Sequence, residues 1–476
     1  MNKIVYTSIV AFFLSLNFCF AQTTVHGGIY NNTTWSLANS PYLMDGSVVV
    51  FPGAVLTIEP GVEVRVQENG TPGSQYYLET RGTINMIGQP GALIKFRANA
   101  AVTSNYSWIG IFVKNSQGGV LNCDYISISN ALYAINYDSY IPPLIILNQS
   151  EFRYNTNGLG IGLELQADSC LFYGNSNAVY GQSIFKITNC IFESNYQALP
   201  VYASDLMVKN SLFANNNVGI NFSSFSTASL NVSNSTFDNN TIAFQSASNG
   251  LIDSCTFVNN IEGITYTSNL EIRNSVFNNN QTAMQVGWGT NVYDCEINNN
   301  ATGVAIGPVG FNQPAPVIEN NHICYNSNYN IDNRTDLNMF IPSNCFCITD
   351  STALEGKILD GYDDITKGLI SYAIYDTSCT TLLEMVNKQP STAILENSAK
   401  PEVNIFPNPV LNDLNIPNDR QFTKAEIFEL RGQLLMSSTL IDGNNHLITE
   451  ALPAGTYILR LSGKGRLAEH LRFIKQ

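Results

Sequence analysis

The chain has 476 residues, 44% hydrophobic and 13% charged, with a formal net charge of −14. That length exceeds one ordinary domain, and the apolar share is too high for a disordered chain. The acidic balance excludes a nucleic-acid partner, which needs a basic footprint. The expected class is all-β, with a polar and weakly charged surface.

The first element is "MNKIVYTSIVAFFLSLNFCFAQ". Lys3 supplies a positive start, Ile4 to Phe18 an apolar run, and Cys19 and Ala21 small residues before Gln22. This pattern predicts a signal peptide over 1–21, cut between Ala21 and Gln22. The run is short for a bilayer span of roughly 20 residues, and no other stretch is apolar enough, so no transmembrane segment is expected in the mature chain. The remaining cysteines enter an oxidising setting.

Residues 22–115 alternate apolar and polar positions between Pro-Gly pairs, as in "FPGAVLTIEPGVEVRV" (51–66) and "RGTINMIGQPGALIKF" (81–96). They predict irregular first coils, with 23–45 covering the open end of a sheet whose bare edge would otherwise stack on other chains.

Over 116–344 the chain repeats. Phe152, Phe172, Phe192, Phe213, Phe237, Phe257, Phe277 and Ile297 are spaced by 20, 20, 21, 24, 20, 20 and 20 residues. Such a period marks a solenoid. Three residues after each anchor stands an Asn, from Asn155 to Asn300. Two before it stands Ser or Cys, among them Cys170, Cys190, Cys255 and Cys295. Apolar residues alternate with period two around three points of each repeat, which predicts three short strands per ~20-residue coil, each burying one face. Asn suits the turns between them, because it tolerates positive φ, and stacked Asn side chains can bond to one another along the stack. Parallel crossovers are right-handed, so the expected architecture is a right-handed parallel β-helix. The Ser/Cys column is read as small core residues.

After Ile323 the columns fail. Residues 345–383 are expected to close the helix, with Asp350 or Ser351 capping a short helix that turns Ala353, Leu354, Ile358 and Leu359 inward. A disulfide from Cys379 to Cys345 or Cys347 is expected there. Asp360, Asp363 and Asp364 are calcium candidates, although their spacing is not that of an EF-hand loop, and no other cofactor is implied. Residues 384–402 read as a linker. Residues 403–476 carry longer alternating strands, "VNIFPNPVLNDLNI", "AEIFELRGQLLMSS", "LPAGTYILRL" and "HLRFIKQ", and predict a small β-sandwich.

Two resemblances follow from these stretches. Residues 23–115, through "TTWS", the Pro-Gly strands and "SWIGIFV", resemble exported bacterial right-handed β-helix proteins. Residues 403–476, through Phe-Pro-Asn-Pro and Gly-Thr-Tyr, resemble the type A C-terminal sorting domain of the type IX secretion system. The resemblance implies export across the outer membrane, with the type IX machinery as partner and the protein at the cell surface or released.

Function is less legible. The outward positions eight and ten residues after each anchor hold no Asp, Glu, Lys, Arg or His from Gly160 to Gly307. Glycoside hydrolysis needs paired carboxylates, and lyase chemistry a base with a cationic stabiliser. The face instead presents Tyr180, Gln182, Tyr202, Gln245 and Gln285, with Trp288 on the neighbouring turn. Aromatic faces and amides suit sugars, so a polysaccharide is the expected ligand and a non-catalytic binding or adhesion role the expected function. A second outward strand carries Asp253, Glu271 and Arg273. These are the candidates for the alternative, a polysaccharide lyase or hydrolase, while a salt-bridged surface is the simpler reading. A structural spacer is the third reading.

Overall fold

The computed structural model describes residues 22–375 and 405–475, apart from 69–74, 101–102, 139–143, 161–163, 183, 203–204, 224–228, 247–248, 266, 308–313, 373–374, 408–409, 419–421, 430–433, 442, 454 and 464–465. The predicted signal peptide, the linker 384–402, Cys379 and most of the loops at 222–229 and 307–317 lie outside the described residues. The chain divides into two compact units, Met1–Pro390 and Ser391–Gln476.

The first unit is a parallel β-solenoid of about 12 turns. Each regular coil has the three strands expected. In one coil these are Leu270–Arg273, Val276–Asn278 and Thr282–Val286. The first strands stack into a nine-stranded parallel sheet running from Leu144–Asn148 to Val317–Glu319. The register is the repeat itself, with Phe257 opposite Phe277 and Phe277 opposite Ile297. The anchor phenylalanines are fully buried. Their rings stack down the core, with centroids 4.6 Å apart for Phe237 and Phe257 and 4.7 Å for Phe257 and Phe277.

The Asn column forms a buried ladder. Asn260 donates Nδ2 to Asn280 Oδ1 at 2.9 Å and to the Phe237 carbonyl at 3.0 Å. The positive-φ corners lie elsewhere than expected. They fall one residue earlier, at Asn239, Asn259 and Asn279, and at the other corner, at Asn234, Ser254 and Asn274. Ladder and turn are thus separate jobs. The ladder Asn satisfies buried backbone groups, and its exposed predecessor takes the left-handed conformation.

The Ser/Cys column is buried as read, but it also bonds: Cys190 N–H donates to Ser211 Oγ at 3.1 Å. Cys170, Cys190, Cys255 and Cys295 are unpaired thiols. Where a Gly stands six residues after the anchor, the next coil passes close. A Cβ on Gly263 would lie 2.2 Å from the Ala283 carbonyl oxygen.

Three boundaries differ from expectation. Residues 23–45 do not plug the end. Thr23–Ile29 pairs in parallel with Tyr42–Val50, and Thr33–Trp35 with Val55–Ile58, so they form a first coil. The columns do not fail after Ile323. One extra residue enters after Asn326, and the coil resumes with Ile331 opposite Val304. Stacking then reaches Ile358–Leu359, which pairs with Ile331 and Asp332. At the closing helix Ser351–Glu355, Asp350 accepts from the Ala353 N–H. Leu354 and Ile358 are buried, Leu359 is half-buried, and Ala353 faces solvent, because five residues are too few for both Ala353 and Leu354 to face the core.

The second unit holds an antiparallel pair, Asp413–Asn418 with Gly443–Ile448, and a four-stranded antiparallel sheet of Lys424–Glu429, Leu434–Thr439, Gly455–Gly463 and Arg466–Lys475. Leu414, Ile416, Ile427, Leu459 and Phe473 share its core. The Gly-Thr-Tyr motif has a structural role here: Tyr457 donates its hydroxyl to the Pro453 carbonyl at 2.7 Å.

Candidate functional site

The third strand of each coil builds the uncharged face. Tyr202 is 49% exposed and Tyr180 half-buried. Tyr202 N–H donates to the Gly181 carbonyl, 3.0 Å away. That bond sets Tyr202 beside Gln182 on the neighbouring coil, where both are exposed. Tyr180, Gln182 and Tyr202 therefore form one cluster. Pro200 pairs with Asn221, and Asn221 with Gln245.

The other candidates lie further along. Gln245 is two rungs from Tyr202, about 10 Å at ~4.8 Å per rung, and Gln285 two rungs beyond that. Gln285 is already engaged, donating Nε2 to the Gly307 carbonyl at 2.9 Å and accepting from Thr265 at 3.4 Å. Trp288 sits at the corner after the strand, half-buried, its carbonyl accepting from Asn269 N–H. The six residues make a line with one dense end.

Sequence reasoning missed charged residues on this same face. Glu262, five residues after Phe257, opens a third strand and is half-buried. Burial pushes its carboxyl above the usual range, and the positive charge of Arg334 opposes that rise. The next coil brings Asp332 into register with Ala305, which is itself in register with Gln285. Arg334 Nε donates to Asp332 Oδ2 at 2.7 Å, and Lys367 Nζ stands 3.6 Å from Asp332 Oδ1. The insertion after Asn326 moved these residues out of the expected columns. The apolar-polar pair "NID" after "YNSNY" was the signal that a shifted coil continues.

The other candidate face is an ion-paired surface. Arg273 donates to Glu271 Oε1 at 2.8 Å and to Asp253 Oδ1 at 3.3 Å, and Asn274 Nδ2 adds a bond to Asp253 at 2.8 Å. Asp253 and Arg273 are opposite one another on adjacent strands. The three charges satisfy one another in partly exposed positions, which is what cross-strand pairing alone produces.

The aspartates near the closing helix serve their own turn. Asp360 is fully buried, and its carboxylate accepts the N–H groups of Tyr362 at 2.9 Å and Ile370 at 2.7 Å. Asp363 accepts from Asp360 N–H, and Asp364 from Thr366. Among the described residues, the only His/Cys/Asp/Glu group close enough to share an ion is Cys324, Cys345 and Cys347. All three are disulfide-bonded, and Cys324 is joined to Cys347, with Cα atoms 5.4 Å apart. This corrects the expectation for Cys347, because the continuing coil lays Cys324 beside it. Cys379 lies outside the described residues.

A family model described as "Right handed beta helix region" matches residues 178–312. A second, "Secretion system C-terminal sorting domain", matches 404–476. No curated protein matches the chain. The stacked coils are a right-handed parallel β-helix. The final unit is a type IX sorting domain, and the chain is handled by that secretion system and exported. Among the described residues, no helix is long and apolar enough to cross a membrane.

Proposed function

We propose that this exported β-helix protein binds polysaccharide without transforming it, in a surface-binding or adhesion role. The observation that carries the reading is the cluster of Tyr180, Gln182 and Tyr202 on neighbouring coils, continued by Asn221 and Gln245 on a stacked, rigid face. Aromatic rings accept the apolar faces of sugars, and amides match hydroxyls as both donor and acceptor. The sorting domain supports the setting, since an exported protein meets extracellular and surface glycans. Affinity electrophoresis of the full chain through gels containing a panel of polysaccharides tests it. Retardation by at least one member is expected, and unchanged mobility in all of them would refute the reading.

A lyase or hydrolase is the second reading, favoured by one observation: Glu262 and Asp332 put carboxyl groups, and Arg334 a cation, on the same face. Incubation of the full chain with the same panel, with and without calcium, would then release unsaturated uronates or reducing ends.

A further inference from the structure

The N-terminal end of the solenoid is open. Among the described residues, Thr23–Ile29 pairs only with Tyr42–Val50, and Thr33–Trp35 only with Val55–Ile58. The edge strand turns alternate residues inward. Thr23 N–H donates to the Pro41 carbonyl at 3.2 Å, and the Ile29 carbonyl accepts from Phe51 N–H at 2.9 Å. From Val25 to Gly27 the edge strand advances two residues while the inner strand advances four, from Met44 to Val48. The irregularity therefore belongs to the inner strand, and the outer one keeps its alternation. Thr24, His26 and Gly28, all exposed, are left with their backbone N–H and C=O groups directed at the open side.

Exposed edges are commonly guarded by Lys, by Pro or by other charges. This strand has neither Lys nor Pro over its seven residues. In a chain of net charge −14, residues 22–44 hold no Asp, Glu, Lys or Arg. His26 is the one imidazole there, and its Nδ1 lies 2.8 Å from Asp45. The end coil thus brings little like-charge repulsion against a copy of itself. The opposite end offers no match. Its last stacked strand, Ile358–Leu359, has two residues and follows the closing helix, whose Leu354 is buried. Head-to-tail growth lacks a partner edge, whereas head-to-head pairing needs only the same strand twice.

We propose that two copies of this chain associate head to head, by antiparallel pairing of their Thr23–Ile29 edges about a two-fold axis at His26. The axis lays Thr24 of one copy opposite Gly28 of the other, and His26 opposite His26. These are the residues whose backbone groups point outward, so each opposition is a hydrogen-bonded pair that exchanges two bonds. The interface is isologous and closes at two copies. A strand of this length spans about 23 Å. The contact is small, so the dimer is reversible and not obligate.

Sedimentation velocity of the full exported chain over a concentration series tests the proposal. The sedimentation coefficient should rise with concentration to that of a dimer and stop there. Hydrogen exchange in the peptide 22–30 should slow over the same range, a readout that needs no variant. Thr24→Pro removes an outward N–H and no bond within the chain, a change that edge strands tolerate. It should weaken association by about tenfold, since two bonds are lost across the axis. Thr34→Pro makes the same change on the other open strand, Thr33–Trp35, and should associate like wild type. Circular dichroism should show both variants folded, and the exchange result decides if either is not. A chain that stays monomeric at every soluble concentration would overturn the proposal. So would species that grow beyond a dimer, exchange at 22–30 that ignores concentration, or a dimer that Thr34→Pro loses and Thr24→Pro keeps.

Discussion

Asn240 donates twice to one atom: its backbone N–H and its Nδ2 both reach Asn260 Oδ1, at 2.8 and 3.0 Å. Asn260 passes the pattern on to Asn280. Removing one rung orphans buried donors and a carbonyl, each costing about 1–3 kcal/mol. Asn260→Ala should therefore destabilise the β-helix by about 3 kcal/mol, whereas Asn259→Ala, at the exposed left-handed corner, should cost about 1 kcal/mol. Urea unfolding of the two variants gives the comparison, and equal losses would show that the ladder bonds contribute little.

The ring stack gives a second expectation. Phe237 packs between Phe213 and Phe257, with centroids 4.9 and 4.6 Å away. Phe237→Ala should lose about 3–5 kcal/mol, and Phe237→Leu distinctly less. Urea midpoints of both variants check the order.

Glu296 gives a pH dependence. It is 4% exposed, beside Val276 on one coil and His322 on the next. Burial raises its carboxyl from 4.5 to about 7. The folded state then holds a proton that the unfolded state releases, so stability falls as pH rises from about 4.5 to about 7. The loss is about 3 kcal/mol at most. Glu296→Gln should remove that slope and leave the protein more stable than wild type at pH near 8. Denaturation at several pH values measures it, and an unchanged slope would contradict it.

Export gives a fourth prediction. A chain ended before Pro401 lacks the sorting domain and should accumulate in the periplasm, while the full chain reaches the surface or medium. Its mature N-terminus is expected at Gln22. Fractionation and N-terminal sequencing read both outcomes.

The stack was legible because every coil meets the same neighbours. Phe277, Asn280 and Ser275 solve a packing problem posed again each turn, so their columns survive without an alignment. Single events were not legible. One residue inserted after Asn326 shifted Ile331 out of its column and hid Asp332 and Arg334 from the face they belong to. The same shift hid the pairing of Cys324 with Cys347. The turn role assigned to the Asn column was half right, because two adjacent Asn residues, such as Asn279 and Asn280, look alike in sequence while one is at a left-handed corner and the other in the ladder. The placement of the uncharged line was legible in part. Tyr180, Gln182 and Tyr202 stand together, whereas the bonds that engage Gln285 depend on Gly307 and Thr265 in neighbouring coils.

The central claim is that the Tyr180–Gln182–Tyr202 cluster binds polysaccharide. The most direct measurement is titration calorimetry of the full chain with the best-retained member of the panel, beside the double variant Tyr180→Ala, Tyr202→Ala and a control, Asn231→Ser, on the opposite outward strand. The account predicts that the double variant loses at least about tenfold in affinity, from two stacking contacts, and that the control matches wild type. An affinity unchanged in the double variant would contradict it.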